Sequence, residues 1–230
     1  TPAEFSELTR GRVLGEVRAR GRWLFIALEP GYMLVFGEFG GKALYHLAGA
    51  PPPKKRHLLL EFTDGSSFSV TTQMWGAMEL YVQGEEENRQ YIRDMRPTPV
   101  DPEFTKGYFD KLLNQVVTGE KRSAKGLLTQ DQLIPGLGNS IAQDILFRAR
   151  LNPRQPIADL LRSQRQMLYQ AIRMTVAEVT QKGGRSDETD LYGRPGGYPR
   201  IMSKDTVGHP CPGCGARIEK MQYLGGACYY

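Results

Sequence analysis

The sequence predicts an α+β protein, in which an antiparallel β-sandwich or barrel precedes a helical half and a cysteine-containing tail. Short apolar runs separated by turn residues fill the first 96 residues, a pattern typical of antiparallel strands. Apolar residues at helical spacing dominate from about position 103 onward. A Cys-Pro-Gly-Cys turn lies close to the C-terminal end. We therefore expect three regions, at residues 1–96, 97–199 and 200–230.

The first region is predicted to begin with a short helix over residues 1–12 and to continue as a series of strands. The Asp64-Gly65 dipeptide lies between two apolar runs and is a strong hairpin signal. The predicted strands span residues 13–17, 22–28, 32–36, 42–46, 57–63, 67–71 and 77–82. Strands this short and this closely spaced favour a sandwich or a barrel.

Residues 97–102 are predicted to be the linker to the helical region, because three of them, at positions 97, 99 and 102, are prolines. Helices are predicted over residues 103–113, 126–130 and 157–181. The last of these is expected to be one long amphipathic helix, ended by Gly183 and Gly184. Its apolar positions are Ile157, Leu160, Leu161, Leu168, Ile172, Val176 and Val179.

The most informative stretch is a glycine-rich turn that leads into a helix. Pro135 and Gly136 interrupt the preceding segment, and Gly138 gives the backbone freedom just before Asn139. The helix is predicted from Ser140 with a single buried face made of Ile141, Ile145, Leu146 and Ala149, while Gln143, Asp144 and Arg148 lie between these positions. Backbone N–H groups, the Asn139 amide and the positive end of the helix dipole can together bind one phosphate. The alternative is an ordinary helical hairpin whose glycines serve only the turn.

Composition narrows the class of protein. The chain has 230 residues, a formal net charge of +5 and a pI of about 9.1, which permits a polyanionic partner without requiring one. No apolar run approaches the length of a membrane span, and no signal-peptide pattern opens the chain. Three cysteines do not make a disulfide framework, so we expect a reduced, cytoplasmic setting, nucleoid-associated in a bacterium. Monomer is the default oligomeric state.

Cys211 and Cys214 are spaced as two thiolate ligands of one structural Zn²⁺. The rival interpretation is a redox pair, but the thioredoxin-like βαβ context of such pairs is absent here. A second cysteine pair is expected 15–20 residues after Cys214, which falls at or beyond Tyr230. Cys228 is not followed by the second cysteine of a CxxC pair. His209 is too close to Cys211 in the sequence for both to bind one zinc ion easily. We expect the other two ligands to lie outside this chain.

These motifs together resemble the formamidopyrimidine-DNA glycosylase / endonuclease VIII family. Residues 127–153 are similar to its helix–two-turn–helix, with Asn139 at the phosphate-binding amide and Gly138 in the same turn. Lys125 matches a basic residue that approaches the DNA backbone. The segment containing Arg185 is similar to the family's mobile loop over the flipped base, and the cysteine pair is similar to half of its zinc finger. The resemblance implies double-stranded DNA with a damaged base or abasic site as the partner.

The chain departs from the family pattern in the β region. Arg22 occupies the position of a hairpin lysine; it can bind phosphate but is a poor proton donor. The resemblance assigns the lesion wedge to Phe39, Gln73, Met74 and Trp75, although relatives carry arginines where Gln73 and Met74 stand. An aromatic wedge suits an extruded base. Core packing at the sheet edge is the alternative role for the two aromatic residues.

The resemblance implies a DNA repair glycosylase, with AP-lyase activity, that flips and excises a damaged base. In relatives the nucleophile is the α-amine of an N-terminal proline followed by glutamate, which Pro2 and Glu4 do not reproduce. We therefore expect no catalytic residue in this chain and a nucleophile upstream of Thr1. The alternatives are a non-catalytic DNA-binding member of the same fold and, from another class, an RNA-binding protein.

Overall fold

The computed structural model describes residues 1–38, 40–72, 76–119 and 121–230, and the chain divides into two units. The first unit contains residues Thr1–Met95 together with Asp190–Arg194. The second contains Arg96–Thr189 together with Pro195–Tyr230. Each unit encloses hydrophobic clusters of its own.

Two antiparallel sheets make up most of the first unit, with strand orders β1-β2-β3-β7 and β4-β6-β5. The strands are β1 Val13–Arg20, β2 Trp23–Glu29, β3 Tyr32–Gly37, β4 Gly41–His46, β5 Leu58–Glu61, β6 Ser67–Thr72 and β7 Ala77–Val82. Each predicted strand is found within a few residues of its expected bounds. The antiparallel prediction is therefore confirmed for the part of this region that the structure describes.

Side chains of β2 are buried on both faces of the larger sheet. Phe25 and Ala27 point into a cluster with Val35, which Ile92 completes from the far side. Ile26 and Leu28 point the other way, into a cluster with residues of the second sheet. Because successive strand side chains face opposite sides of a sheet, an apolar run without polar gaps requires cover on both faces.

Short helical pieces accompany the sheets. Helix α1, Pro2–Thr9, is capped by Thr1, whose hydroxyl accepts the N–H of Glu4 at 3.2 Å. Residues Glu85–Asn88 form a 3₁₀ turn, and α2, Gln90–Arg93, follows it. The acidic residues after Gly84 predict the start of a helix, and the 3₁₀ turn followed by α2 is what the structure contains there.

The main elements among the described residues of the second unit are four helices and one hairpin: α3 Lys106–Gly119, α4 Ala124–Thr129, α5 Asn139–Ala149, α6 Arg162–Gln181, β8 Lys220–Tyr223 and β9 Gly226–Tyr229. Their shared core includes Phe104, Phe109, Leu127, Ile145 and Leu168. No helix among the described residues is long and apolar enough to cross a membrane.

The structure corrects two helix predictions. Residues 157–181 do not form one helix, because Ile157–Asp159 is a 3₁₀ turn and Leu161 is 67% exposed rather than buried. The side chain of Gln164 accepts the Leu161 N–H at 3.0 Å, so that α6 begins anew at Arg162. Helix α5 is also buried on more than one face, because Gln143 and Asp144 are 1% and 0% exposed.

Candidate nucleic-acid interface

The segment between α4 and α5 contains the residues for which the sequence predicts a phosphate site. Ser123 caps α4 by accepting the Gly126 N–H at 3.1 Å. The turn that follows holds Asp131 and Gln132 at positive φ, 53° and 46°, and Gly136 at 90°. These conformations bring the chain back sharply to start α5, and such backbone strain is often concentrated at functional sites.

Asn139 is the first residue of α5 and is exposed, with Gly138 just before it. A Cβ placed on Gly138 would meet nothing within 4 Å, and Gly138 has a φ of −120°, which any residue adopts. The fold therefore does not require glycine at this position. The first N–H groups of a helix have no intrahelical partners, and open space beside them and a side-chain amide is a geometry that can bind an anion.

The β8–β9 hairpin packs against this helix start. The Nδ2 of Asn139 donates to the carbonyl of Ala227 at 3.2 Å, and the Nε2 of Gln143 donates to the same carbonyl at 3.1 Å. The guanidinium of Arg154 lies 5.3 Å from the centre of the Tyr223 ring. The hairpin is thus held by side chains from the first turn of α5 and from the segment after its end.

Lys125 has surroundings that its sequence position does not suggest. The residue is 0% exposed, and its Nζ donates to the carbonyls of Tyr223 and Gly226, the latter at 3.3 Å. A DNA phosphate has no access to this ammonium in the structure. The predicted phosphate contact of Lys125 therefore lacks the exposure that Asn139 has.

Arg185 lies in the loop that follows α6 and is engaged by carboxylates of the same loop. Its guanidinium pairs with Asp187 at 3.0 Å and with Glu188 at 2.9 Å. Burial raises the pKa of Asp187, but the hydrogen bond from Arg185 and the nearby positive charges lower it by more, so that the pKa is below its usual value. The carboxylate consequently stays charged and the ion pair persists at neutral pH.

Asp144 fixes the end of this loop. Its carboxylate accepts the hydroxyl of Tyr198 at 2.9 Å and the N–H groups of Ile201 and Met202 at 3.0 and 2.7 Å. Burial, followed by the charge of Asp144, raises the pKa of Tyr198, so its phenol remains a donor. Neither Asp144 nor Gln143 is predicted as a site residue from the sequence, since helical spacing does not distinguish a buried polar side chain from an exposed one.

In the first unit, Arg22 lies in the turn between β1 and β2. Its Nη1 pairs with the Oε2 of Glu38 at 2.8 Å, and both side chains are partly exposed. The four predicted wedge residues, Phe39, Gln73, Met74 and Trp75, lie outside the described residues.

Cys211 and Cys214 lie in one tight turn of the second unit. The Gly213 N–H is 3.4 Å from the Sγ of Cys211, and the Gly215 N–H donates to the Cys211 carbonyl at 2.8 Å. The N–H groups of Gly213 and then Cys214 lower the pKa of the Cys211 thiol. No group of three or more metal-ligating side chains occurs in the part of the chain that the structure describes. Cys228 is buried in β9.

Comparisons with known proteins agree with this fold. A model of the formamidopyrimidine-DNA glycosylase H2TH domain matches residues 95–190. The formamidopyrimidine-DNA glycosylase of Moorella thermoacetica is 31% identical over 227 residues, which are 96% of this chain and 81% of that protein. The corresponding protein of Bacillus cereus is 27% identical over 230 residues, 98% of this chain and 82% of its own length.

Solved structures give the same result. The MutM (Fpg) protein from Thermus thermophilus superposes with a TM-score of 0.81 at 28% identity, over 97% of this chain and 83% of that chain. The Lactococcus lactis Fpg in a complex with abasic-site DNA superposes with a TM-score of 0.84 at 22% identity, over 99% and 84%, a likeness of fold. The architecture is therefore one that DNA glycosylases use. The chain belongs to the formamidopyrimidine-DNA glycosylase family.

Proposed function

We propose that this chain binds the backbone of duplex DNA through its second unit and acts as a DNA repair glycosylase that excises a damaged base. The observation that carries the proposal is the exposed Asn139 amide at the start of α5, with open space above Gly138, in a family member whose relatives are named glycosylases. Helix α5 has 11 residues, long enough for a useful dipole at its first turn.

A DNA phosphate would lie over Gly138 and accept hydrogen bonds from the Asn139 amide and the first N–H groups of α5. Hydrogen bonds to a charged group contribute about 1.5–3 kcal/mol each. Such contacts are independent of base sequence and set the register of the protein on the duplex. They suit an enzyme that must reach lesions in any sequence context.

Arg22 and Arg185 supply further positive charge in this proposal. Both are paired with carboxylates in the absence of DNA, Arg22 with Glu38 and Arg185 with Asp187 and Glu188. A phosphate would replace a carboxylate oxygen at the exposed side of each guanidinium, because the bidentate geometry of the two anions is the same. Until DNA binds, the carboxylates hold each arginine in position.

Cys211 and Cys214 would bind one structural Zn²⁺. Their shared turn brings two thiols together, and an N–H group already points at one of the sulfurs. Tetrahedral zinc takes four such ligands, so these two residues are half of a site. The metal would contribute folding energy to the tail and no chemistry of base removal.

The family resemblance assigns base removal to an amine nucleophile. Attack of the amine on the anomeric carbon of the sugar expels the base. The bond between that carbon and the ring oxygen then breaks, which leaves a hydroxyl on C4′ and a Schiff base at C1′; removal of a C2′ proton lets the 3′ phosphate depart by elimination. Arg22, at the position of the hairpin lysine, stays protonated and cannot act as that amine. Its contribution is charge alone.

Borohydride trapping on duplex DNA with an abasic site tests the proposal, using the full gene product. Reduction of a Schiff base leaves a stable covalent protein–DNA adduct, which the proposal predicts. An Arg22→Ala variant should still trap, with weaker DNA binding. Absence of an adduct, combined with absence of base release from lesion-bearing DNA, would contradict the enzymatic proposal.

The second candidate is a non-catalytic DNA-binding member of the family, favoured by the Arg22–Glu38 pair at the hairpin position. It predicts tight binding to abasic duplex with neither trapping nor base release. The same experiment therefore separates the two functions.

A further inference from the structure

The β8–β9 hairpin ends in a turn that has no arginine or lysine of its own. Leu224 and Gly225 occupy the two central positions with φ values of 50° and 72°. Two positive φ angles in a row define the type of turn that follows the natural twist of a hairpin, and glycine at the second position eases it. Leu224 is 41% exposed, so the hairpin itself does not bury the side chain at its tip.

A buried cation lies beneath this turn. The Nζ of Lys125 donates to the carbonyls of Tyr223 and Gly226, the residues on either side of the two central positions. Lys125 is 0% exposed and its fully buried side chain comes from α4. Removing an ammonium from water is costly, and the two carbonyl dipoles offset that cost only while the hairpin stays in place.

Gln143 makes a second attachment, one turn into α5. Its Nε2 donates to the carbonyls of Ala227, at 3.1 Å, and of Asn139, at 2.9 Å. Its Oε1 accepts the N–H of Tyr229 at 3.3 Å. A side-chain amide that is 1% exposed thus joins the strand to the first turn of the helix.

The hairpin in turn touches Asn139. Besides the hydrogen bond from its Nδ2 to Ala227, the Asn139 side chain lies so close to Gly226 that a Cβ there would be 3.1 Å from Nδ2 and 3.2 Å from Cγ. Gly226 has no side chain, and this is what lets the amide sit against the strand. The direction of the Asn139 amide is therefore set by the hairpin and not by α5 alone.

We propose that Lys125 and Gln143 are positioning residues: together they clamp the β8–β9 hairpin onto the start of α5 and so orient the Asn139 amide for phosphate. Lys125 then does not contact phosphate itself, in contrast to its role expected from family resemblance. The clamp rests on the proposed function only in its last step, the binding of phosphate by Asn139. Its structural part exists without DNA and is testable without it.

Lysine footprinting of the unmodified protein tests the first step. Reductive methylation followed by mass spectrometry should leave Lys125 unreacted in the free protein, and equally unreacted with abasic duplex bound. Lys220, exposed on β8 of the same hairpin, should react readily in the free protein. A Lys125 that reacts in the free protein and becomes protected only by DNA would overturn the clamp and restore a phosphate contact.

Hydrogen exchange tests whether the cation holds the hairpin. In Lys125→Met, which keeps the length of the side chain, amides of β8 and β9 should exchange at least about tenfold faster, while those of α6 are unchanged. Lys220→Met removes the same charge from an exposed position and should leave all rates as they are. Unchanged exchange in β8 and β9 of Lys125→Met would overturn the proposal.

A double-mutant cycle tests the coupling to phosphate, with affinity for abasic duplex as the readout. Gln143→Met alone should weaken binding about tenfold, but should add no more than about twofold in an Asn139→Ala background, because Gln143 acts through that amide. Additive losses would overturn the positioning role. An Asn139→Ala variant that binds as well as the parent would instead contradict the phosphate assignment of the proposed function, whatever Gln143 does.

Discussion

The interiors of the two units differ in the polar groups that they bury. The sheets of the first unit are built around apolar side chains such as Val35 and Leu34, which are 0% and 1% exposed. The second unit also has an apolar core, but buries Lys125, Gln143 and Asp144 around the start of α5. Apolar burial is non-directional, whereas a buried polar group fixes its partners at defined positions. The first unit also buries polar groups such as Ser69 and Glu86, but the second concentrates them around the helix start that is proposed to position an amide for phosphate.

The largest effect is expected at Asp144. Asp144→Ala leaves the Tyr198 hydroxyl and two backbone N–H groups without their acceptor, at a cost of about 3–5 kcal/mol. Hydrogen exchange should report the loss in α5 and residues 198–202 and leave β2 and β3 protected. Asp205→Ala, at an exposed carboxylate, serves as the control. A loss below about 1 kcal/mol would show that the polar contacts of the second unit are dispensable.

Truncation of a buried apolar side chain in the first unit tests the other side of the comparison. Leu34→Ala should cost about 3 kcal/mol, through lost burial and the cavity that remains between the sheets. Leu47→Ala, 70% exposed, should change stability by less than about 0.5 kcal/mol. Exchange measured strand by strand is the appropriate probe, because a chain of two units need not unfold in one step. Protection lost equally in α5 would contradict the separation of the two cores.

Two neighbouring leucines sharpen the comparison inside the second unit. Leu160 is 5% exposed and Leu161 is 67% exposed, although helical spacing predicts both as buried. Leu160→Ala should therefore cost about 2–3 kcal/mol, and Leu161→Ala less than about 0.5 kcal/mol. Urea titration of the two variants measures both. Equal losses would restore the single long helix over residues 157–181.

The smallest effect concerns pH. Hydrogen bonds from Lys182 and then Arg148 lower the pKa of Glu178 below its usual value of 4.5. Because the pKa of Glu178 is lower in the folded state than in the unfolded state, its ionised carboxylate stabilises the protein at pH values above 4.5. This stabilisation is lost as the pH falls through the pKa of the folded state. Because Glu178 is close to solvent, that contribution is at most about 1 kcal/mol. The unfolding free energies of the parent and Glu178→Gln should differ at about pH 7 and converge as the pH falls below the lowered pKa of Glu178; a constant difference would contradict the assignment.

Sequence patterns were informative wherever side-chain type alone decided the structure. The seven strands that the structure describes in the first unit were predicted because short apolar runs bounded by turn residues are typical of strands and too short for most helices. The start of α5 was found because Pro135 and Gly136 interrupt the segment before it, although Gly138 adopts a conformation that does not need glycine.

The burial of Lys125, Gln143 and Asp144 was not predicted, because it depends on contacts between residues far apart in the chain. Gln143 and Asp144 look like surface residues until β9 and residues 198–202 cover them. Lys125 looks like a phosphate ligand until the hairpin, about 100 residues later, supplies its carbonyl acceptors. None of these distant partners is readable from local spacing. The break at Leu161 is instead local: the capping side chain, Gln164, is three residues away, but the residue it caps is a leucine and not the Ser or Thr typical of a capping box.

The most direct test of the central claim is the affinity of Gly138→Ala and Asn139→Ala for an abasic duplex, measured over a range of salt concentrations. A Cβ at Gly138 meets no protein atom, so that variant should unfold like the parent yet bind DNA about tenfold more weakly, because the Cβ occupies the place of the phosphate. Asn139→Ala should lose a similar factor with an unchanged salt dependence, since the amide is neutral and releases no counterion. Gln170→Ala, which removes an exposed amide from α6, should bind as the parent does. Parental affinity in both Gly138→Ala and Asn139→Ala would contradict the claim that the start of α5 holds the DNA backbone.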